Sequence, residues 1–402
     1  MDALEVLSNV AKVAAGFARD RSVRQRRRNL ERADFVALAE AGFLLTGVPE
    51  ARGGLWRDVA SSARPISEIL RVIARADSSV ALVCSMHPAV LSFWLAQPRP
   101  PAQYAAAWDE QLRWLAQTAL DGHFWGTITS EPGSGGDVTK SRAVARKAGS
   151  HTAGEGGYAI SGQKHFGSGS GIASYMITSA VPEGVADGDE QADWFFLDVR
   201  DGVWDGSTGA KLIAEWDGHG MIATQSHAFE FNGFPAVRFA WPGNLQGITG
   251  AAGALVSTLF TAVIVGVVEN AVEQAREALR KRKALSPYEQ IEWVRAENEA
   301  WLIAQAFEGM QRAVEANGSA ALLEALRGKV VIAELAESVT RRICNAIGGG
   351  CFNRSSPFGF YFEDVRALGF LRPPWGLAFD QLFERGMSAL QSESTTSAIA
   401  RK

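Results

Sequence analysis

The chain has 402 residues, 47% of them hydrophobic and 21% charged, which is typical of a folded globular protein with two or three domains. The formal net charge of -4 provides no general attraction to nucleic acid or to acidic membranes. The 3 cysteines lack a Cys-x-x-Cys spacing and the 6 histidines are scattered, so we expect neither a disulfide scaffold nor a metal site. Asp2 and Glu5 interrupt any apolar signal core at the N-terminus, so we expect a cytoplasmic protein.

Residues 1–122 have a helical pattern. Apolar side chains recur at helical spacing in Phe35, Leu38 and Ala39 and again over Ile66–Ile73. A connection that contains several glycines and Pro49 separates these stretches. The pattern predicts an N-terminal helical region.

From about residue 123 to 243 the chain is rich in Gly, Ser, Thr and aromatic residues. Short runs with β character alternate with turns such as Asn232-Gly233. The runs are Phe124–Thr129, Ala143–Lys147, Tyr158–Gly162, Tyr175–Ala180, Trp194–Val199 and Ala228–Phe231. This region is predicted to be a compact antiparallel barrel or sandwich.

Residues 244–402 return to a helical pattern, with strong helix formers over 271–283, 290–316 and 322–346. The stretch Gly247–Val268 contains no charged residue and is long enough to cross a membrane. Its polar residues Ser257, Thr258 and Thr261 and the charges that follow it favour a helix buried inside a bundle. We therefore expect no membrane span.

Two glycine-rich segments invite comparison with nucleotide-binding loops. Neither Gly133-Ser134-Gly135-Gly136 nor Gly167–Gly171 gives Gly-x-Gly-x-x-Gly at the start of a helix, and neither ends in Gly-Lys-Ser/Thr. The sequence therefore argues against Rossmann and P-loop sites.

The segment Thr127–Asp137 instead resembles the flavin loop of the acyl-CoA dehydrogenase superfamily, with Ser130-Glu131-Pro132-Gly133 at its centre. Small residues let the backbone approach a flavin ring, and backbone N–H groups can satisfy the ring oxygens. The resemblance implies cofactor contacts from Ile128, Thr129, Ser130 and Gly135, and a substrate contact from Gly136. At Gly136 the family has Ser or Thr.

Further motifs follow in family order. Ile160–Gly169 resembles the Gly-x-Lys-x-Trp-Ile-Thr-Asn strand, with Phe166 in place of Trp and Ser168 in place of Thr. The resemblance implies that the Phe166 ring covers the flavin and that the Ser168 hydroxyl reaches its N5 atom. Gly220–Phe231, with Thr224 and Ser226, is similar to the last strands of the family's β-domain.

In the C-terminal region, Arg282–Ser286 resembles the family's Arg-x-x-Phe-Gly, although Leu285 and Ser286 depart from it. The resemblance implies that Arg282 contacts the flavin pyrophosphate, often across a subunit interface. Asn345-x-x-Gly348-Gly349 stands in place of Gln-x-x-Gly-Gly and implies further cofactor contacts.

The resemblance as a whole implies an α+β fold in three parts. These are an N-terminal helical domain (1–122), a central antiparallel β-barrel domain (123–243) and a C-terminal four-helix bundle (244–402). It also implies bound FAD, or alternatively FMN, and a homotetramer.

The family's dehydrogenation needs a general base that removes an α-proton. Counting 8 residues on from Asp364, the family's usual position for that glutamate holds Arg372. The alternative position, on the buried helix near Val256, has no carboxylate, and Ser257 occupies the place of the family's acyl-CoA-contacting Arg. We expect Arg372 to bind an anion, either a substrate carboxylate or negative charge on reduced flavin.

Three interpretations of the activity remain open. The first is a flavin-dependent oxidoreductase that oxidises an acyl-CoA-like or other small apolar substrate and hands electrons to an electron-transfer flavoprotein. The second is a two-component monooxygenase that uses reduced flavin from a flavin reductase. It is favoured by Phe166-Gly167-Ser168-Gly169 and Arg354-Ser355-Ser356-Pro357, which resemble motifs of such enzymes on this fold. The third is a non-catalytic flavin- or acyl-binding homologue.

Overall fold

The computed structural model describes residues 1–148, 157–184 and 191–400, with side chains up to residue 387. The helices that precede the strands are α1 (Ala3–Arg19), α2 (Arg21–Arg24), α3 (Arg32–Glu40), α4 (Val59–Ala74), α5 (Ser78–Leu95) and α6 (Ala102–Leu120). Asp2, Asp58 and Asp77 stand immediately before α1, α4 and α5, and each carboxylate accepts the backbone N–H three residues on. These caps satisfy N–H groups that the first helical turn leaves unpaired.

The strands form a closed barrel. They are β1 (Trp125–Thr127), β2 (Val144–Lys147), β3 (Gly157–Gly167), β4 (Tyr175–Pro182), β5 (Asp193–Asp198), β6 (Ala210–Ala214) and β7 (His227–Arg238). The circuit runs β4–β2–β3–β7–β5 and back to β4, while β6 pairs with β7 outside it. The interior holds its own apolar core, which includes Ile160, Phe195 and Phe229.

The prediction of a purely antiparallel barrel is wrong. β1 and β2 both run parallel to β4 along one of its edges, with Trp125 opposite Tyr175 and Val144 opposite Val181. The chain leaves this edge after β1 and returns to it in β2, so residues 128–143 form one long loop between two segments of the same edge. Alternation of apolar and polar residues identifies a strand but does not fix the direction of its partner.

The helices after the barrel are α7 (Leu245–Arg280), α8 (Pro287–Ala316), α9 (Ala321–Ile347), α10 (Phe358–Val365) and α11 (Trp375–Ala400). Ser286 and Glu289 form a capping box at the start of α8. α7 packs against α8 and α9 and equally against α4 and α5 from the N-terminal region. Helices from both ends of the chain therefore share one hydrophobic core.

α5 and α7 are long and apolar enough to cross a membrane by length and composition. In both helices 89% of the most apolar window is buried within the protein. Burial on all sides accounts for an apolar composition all round the helix. Both are core helices of the fold.

Gly266 of α7 lies at a close contact between α7 and α4. A Cβ atom at this position would stand 2.6 Å from the carbonyl oxygen of Arg71 and 2.8 Å from the Cβ of Ala74. Gly250, on the exposed first part of the same helix, has no atom within 4 Å of such a Cβ.

We expect Gly266→Ala to lower the free energy of unfolding by about 1–3 kcal/mol, because the added methyl forces two packed helices apart. The matched Gly250→Ala variant should raise it by up to about 1 kcal/mol, since alanine orders a helix better than glycine. Denaturant unfolding of both variants measures the difference. Equal stabilities would show that α4 and α7 have room to spare at this contact.

Candidate functional site

A cavity of about 710 Å³ opens between the barrel, the helices α5 and α7, and the segment from 363 to 374. This volume lies within the roughly 300–1,000 Å³ that is usual for pockets that hold small molecules and cofactors. Leu82, Met86 and Phe260 contribute apolar walls from the helices, and Phe370 and Leu371 contribute them from the C-terminal segment.

The structure brings most of the predicted site residues to this cavity. Those that line it are Thr129, Ser130, Gly135, Gly136, Phe166, Ser168 and Arg372. Ile128 does not line it, because its side chain is buried in the barrel core. Ser257, Arg282, Asn345, Gly348 and Gly349 also lie outside the cavity lining.

The glycine loop has a backbone that other residues would adopt only with strain. Gly133, Gly135 and Gly136 all have positive φ angles, of +80°, +60° and +82°. A Cβ at Gly136 would also lie 2.9 Å from the ring of Pro374. Both constraints explain why glycine stands where the family pattern has Ser or Thr. At Gly135 no atom lies within 4 Å of such a Cβ, so the backbone there is open to a ligand.

A buried ion pair anchors this loop to the barrel. Lys164 of β3 is fully buried, and its ammonium lies 2.5 Å from the Glu131 carboxylate and 2.6 Å from the carbonyl oxygen of Ser179. Glu131 also accepts hydrogen bonds from the Ser141 hydroxyl and from the N–H groups of Arg142 and Ala143. The pair thus joins both ends of the long loop to β3 and β4.

The pKa values of this pair leave both groups charged at neutral pH. Desolvation lowers the pKa of Lys164 to about 8, against the opposing effect of Glu131. Desolvation also acts to raise the pKa of Glu131, but Lys164, Ser141 and the Arg142 N–H together bring it below its ordinary value.

Phe166 is placed in the cavity by a bulge in β3. The register between β3 and β7 shifts between Lys164 and Gly167, and Phe166 adopts a left-handed conformation with φ of +58°. Such a backbone is strained for a bulky residue, and strain of this kind concentrates at functional sites. The ring is 58% exposed and stands edge-on to Trp216, at 6.2 Å between ring centroids. The bulge thus turns an aromatic face away from the barrel core and toward the cavity.

Arg372 enters the cavity from the opposite side and donates to the Thr129 hydroxyl. Desolvation lowers the pKa of Arg372 to about 10, and the Asp137 carboxylate opposes that effect, so the side chain is a cation at neutral pH. Lys329 of α9 is buried and donates to the carbonyl oxygens of Leu371, at 2.9 Å, and of Pro373. It therefore holds the chain on both sides of Arg372.

The carboxylates among the described residues that line the cavity are Glu131 and Glu363. Glu131 is engaged by Lys164, and Glu363 accepts a hydrogen bond of 2.8 Å from Arg366. Each of these carboxylates therefore has a cationic side chain as a hydrogen-bond partner. His165 also lines the cavity, and its buried Nε2 atom has no hydrogen-bond partner within the part of the chain described.

Among the predicted polar side chains that lie outside the cavity, all but one have partners among the described residues. Arg282 contacts Glu289 at 2.8 Å and the carbonyl oxygens of Ala346 and Ile347, so it caps the C-terminus of α9. Asn345 donates to Glu292 at 2.9 Å. The exception is Ser257, a buried hydroxyl on α7 with no partner among the described residues. The expected contact of Arg282 across a subunit interface stays a prediction.

Several residues of the site have no local sequence signal that marks them. His165 and Trp216 line the cavity, as do Thr224 and Ser226, which the sequence places only in a strand motif, and Lys329 fixes the backbone beside Arg372. These positions depend on packing between distant segments. Within the described residues no group of three or more His, Cys, Asp and Glu side chains could hold a metal ion.

The sequence matches no protein-family model. It is 28% identical over 281 residues to a probable FMNH2-dependent monooxygenase, SfnC, of Pseudomonas putida, an alignment that covers 67% of this chain and 61% of that protein. It is 26% identical over 260 residues to dibenzothiophene monooxygenase of Mycolicibacterium goodii, with 60% and 55% covered. It is 24% identical over 282 residues to 3-sulfinopropanoyl-CoA desulfinase of Variovorax paradoxus, with 64% and 65% covered. The chain thus spans less than two thirds of the length of these curated relatives.

Solved structures match over nearly the whole chain. The crystal structure of FMN-bound TdsC from Paenibacillus sp. A11-2 has a TM-score of 0.77 at 19% identity, covering 96% of this chain and 97% of that one. Methanesulfinate monooxygenase MsuC from Pseudomonas fluorescens has a TM-score of 0.74 at 21% identity, with 95% and 97% covered. At these identities the likeness establishes a shared fold.

The Glu131–Lys164 pair leads to a stability prediction. Lys164→Met should lower the free energy of unfolding at pH 7 by about 3–5 kcal/mol, because it leaves a buried carboxylate without its cation. The double variant Lys164→Met with Glu131→Gln should recover part of that loss, since it removes both charges. Denaturant unfolding at pH 7 compares the two. A double variant that is less stable than the single one would show that the Glu131 charge does not depend on Lys164.

Proposed function

We propose that the chain, which shares the fold of FMN-dependent monooxygenases, belongs to the acyl-CoA dehydrogenase superfamily and is the oxygenase component of a two-component flavin-dependent monooxygenase. It binds reduced FMN delivered by a partner flavin reductase and oxygenates a small, largely apolar substrate. The observation that carries the proposal is a cation in the cavity, Arg372, at the position where the resemblance implies the base of the family's dehydrogenases.

The charges around the cavity support oxygenation over α-proton abstraction. A carboxylate that serves as a general base must be free to accept a proton. Glu131 and Glu363 each engage a cation instead, and Arg372 stays protonated. A monooxygenase requires no α-proton base, so the same arrangement is compatible with that chemistry.

The residues of the cavity fit a flavin. The open backbone at Gly135 lets a ring approach, and the exposed face of Phe166 offers a stacking surface. His165 also lines the cavity, and its Nε2 atom has no hydrogen-bond partner among the described residues. When bound in its reduced form, FMN supplies the electrons that activate oxygen. FMN is favoured over FAD by the relative named for FMNH2 dependence and by the FMN-bound structural neighbour.

Two features of the cavity restrict the substrate. The apolar wall formed by Leu82, Met86 and Phe260 favours an apolar body. Arg372 carries five N–H donors, of which one is directed to Thr129, so an anionic group can bind beside it. Two substrates named for relatives or neighbours test these properties separately. Dibenzothiophene has an apolar body without a charge, and methanesulfinate is a small anion.

The test uses the purified full chain with FMN, NADH, a flavin reductase and oxygen. We expect reduced FMN to bind at least about tenfold more tightly than oxidised FMN, which corresponds to about 1.4 kcal/mol. Product should form from one of the two probes only when reductase and oxygen are both present. A protein that retains tightly bound FAD, and whose flavin bleaches anaerobically with an acyl-CoA, would instead support dehydrogenation.

Arg372→Ala should reduce turnover by about 100-fold, equivalent to about 2.7 kcal/mol of transition-state stabilisation, and leave the circular dichroism spectrum unchanged. Arg372→Lys should retain part of the activity, because it keeps the charge and loses the planar fork of donors. Arg372→Glu should not create acyl-CoA dehydrogenation. Turnover of Arg372→Ala equal to that of the parent protein would remove this residue from the mechanism.

A further inference from the structure

Three hydroxyl groups in the cavity wall form a continuous chain. The Ser168 and Ser226 oxygens are 2.8 Å apart, and the Ser226 and Thr224 oxygens are 2.8 Å apart. The Thr224 hydroxyl then lies 2.8 Å from the carbonyl oxygen of Met221. All three hydroxyl residues are buried and line the cavity.

The number of donors and acceptors determines where the protons lie in this chain of hydroxyl groups. Two oxygens 2.8 Å apart need a proton between them, and each hydroxyl carries one proton. A carbonyl oxygen can only accept, so Thr224 donates to Met221. Ser226 must then donate to Thr224, and Ser168 must donate to Ser226. The only arrangement that makes all three bonds leaves Ser168 with lone pairs alone for the cavity.

The last acceptor of the hydroxyl chain, the carbonyl oxygen of Met221, has a fixed position. Met221 has a strained φ of +49°, and its N–H is bound at 2.6 Å by the buried carboxylate of Asp364. Its carbonyl oxygen also accepts from the indole N–H of Trp216 at 3.0 Å. The acceptor that orients the three protons is therefore fixed by α10 and by the loop before β7.

We infer that Thr224 and Ser226 are positioning residues that make the Ser168 hydroxyl an obligate hydrogen-bond acceptor, and that this selects the reduced form of flavin. The N5 atom of an oxidised isoalloxazine ring has a lone pair and no proton, whereas the reduced ring carries an N–H there. An acceptor facing that atom forms a hydrogen bond with the reduced ring and opposes the lone pair of the oxidised one. The inference rests on the proposed function in that it assumes a flavin in this cavity with its N5 atom at the Ser168 hydroxyl.

The experiment measures the dissociation constants of oxidised and reduced FMN anaerobically for the full chain and its variants. Ser226→Ala frees the Ser168 proton to turn toward the cavity. The ratio of the oxidised to the reduced dissociation constant should then fall by about tenfold, and the midpoint potential of bound FMN by about 30 mV. Thr224→Val, which is nearly isosteric, should shift the ratio in the same direction, because Ser226 can then donate to Ser168.

Two controls separate this effect from a general loss of structure. Ser170→Ala removes another buried hydroxyl, which donates to the carbonyl of Gln225 at 2.8 Å and lies outside the chain of three, and should leave the ratio unchanged. In a Ser168→Ala background, Ser226→Ala should have no further effect on the ratio, since the group that it orients is gone.

A ratio that Ser226→Ala leaves unchanged or raises, or an equal shift in the Ser168→Ala background, would overturn the inference. These measurements need only FMN binding, not oxygenation. The predicted shift in a protein that forms no oxygen-dependent product would support the inference and sink the proposed function. An active monooxygenase without the shift would support the proposed function and overturn the inference. A protein that binds neither oxidised nor reduced FMN would overturn both.

Discussion

The contact between the Lys164 ammonium and the Glu131 carboxylate determines how the cavity is built. A charged pair that is cut off from water is tolerated only when each partner satisfies the other and nearby polar groups complete the shell. Here the Ser141 hydroxyl, the Ser179 carbonyl and two backbone N–H groups complete it. Since Glu131 begins the glycine loop and Lys164 lies two residues before Phe166, one interaction fixes two walls of the cavity relative to each other.

Polar contacts connect the remaining walls of the cavity to the segments that the Glu131–Lys164 pair fixes. Arg372 meets Thr129 from the C-terminal segment, and Lys329 fixes the backbone on both sides of it. Asp364 holds the turn at Met221, from which the hydroxyl chain to Ser168 begins. Burial of so many polar groups gives little net stability, because their desolvation offsets most of each bond. What they provide is a fixed direction for the donors and acceptors that take part in them.

This polarity is what distinguishes the cavity from a simple apolar pocket. Arg372 is a cation in the cavity, and the Ser168 hydroxyl presents an acceptor to it. Under the proposed function, both features favour electron-rich, reduced flavin over the oxidised ring. An overall net charge of -4 carries no hint of such local order, since it averages over the whole surface.

Much of the site follows from short stretches of sequence. The loop from Thr127 to Asp137, the Phe166 and Ser168 pair and the absence of a glutamate at position 372 are local features, and the glycines require the positive φ angles that they adopt. The order of helices, then strands, then helices also follows from the sequence, because helical and strand patterns differ in periodicity and composition. The strand β6 was missed, since five residues on an outer edge leave a weak pattern.

By itself, then, the sequence determined most of the helical and extended segments and where the loop that resembles a flavin loop lies, and it placed an arginine at the position where the resemblance implies a base. Only the tertiary structure decided that β1 and β2 run parallel to β4, that Arg372 reaches a hydroxyl 243 positions away, and that Ser168, Ser226 and Thr224 form one chain. Local preferences act over a few residues, whereas these contacts join segments that meet only when the shared core and the barrel close. The direction of a hydroxyl proton depends, in addition, on the last acceptor in a chain of hydrogen-bonded groups.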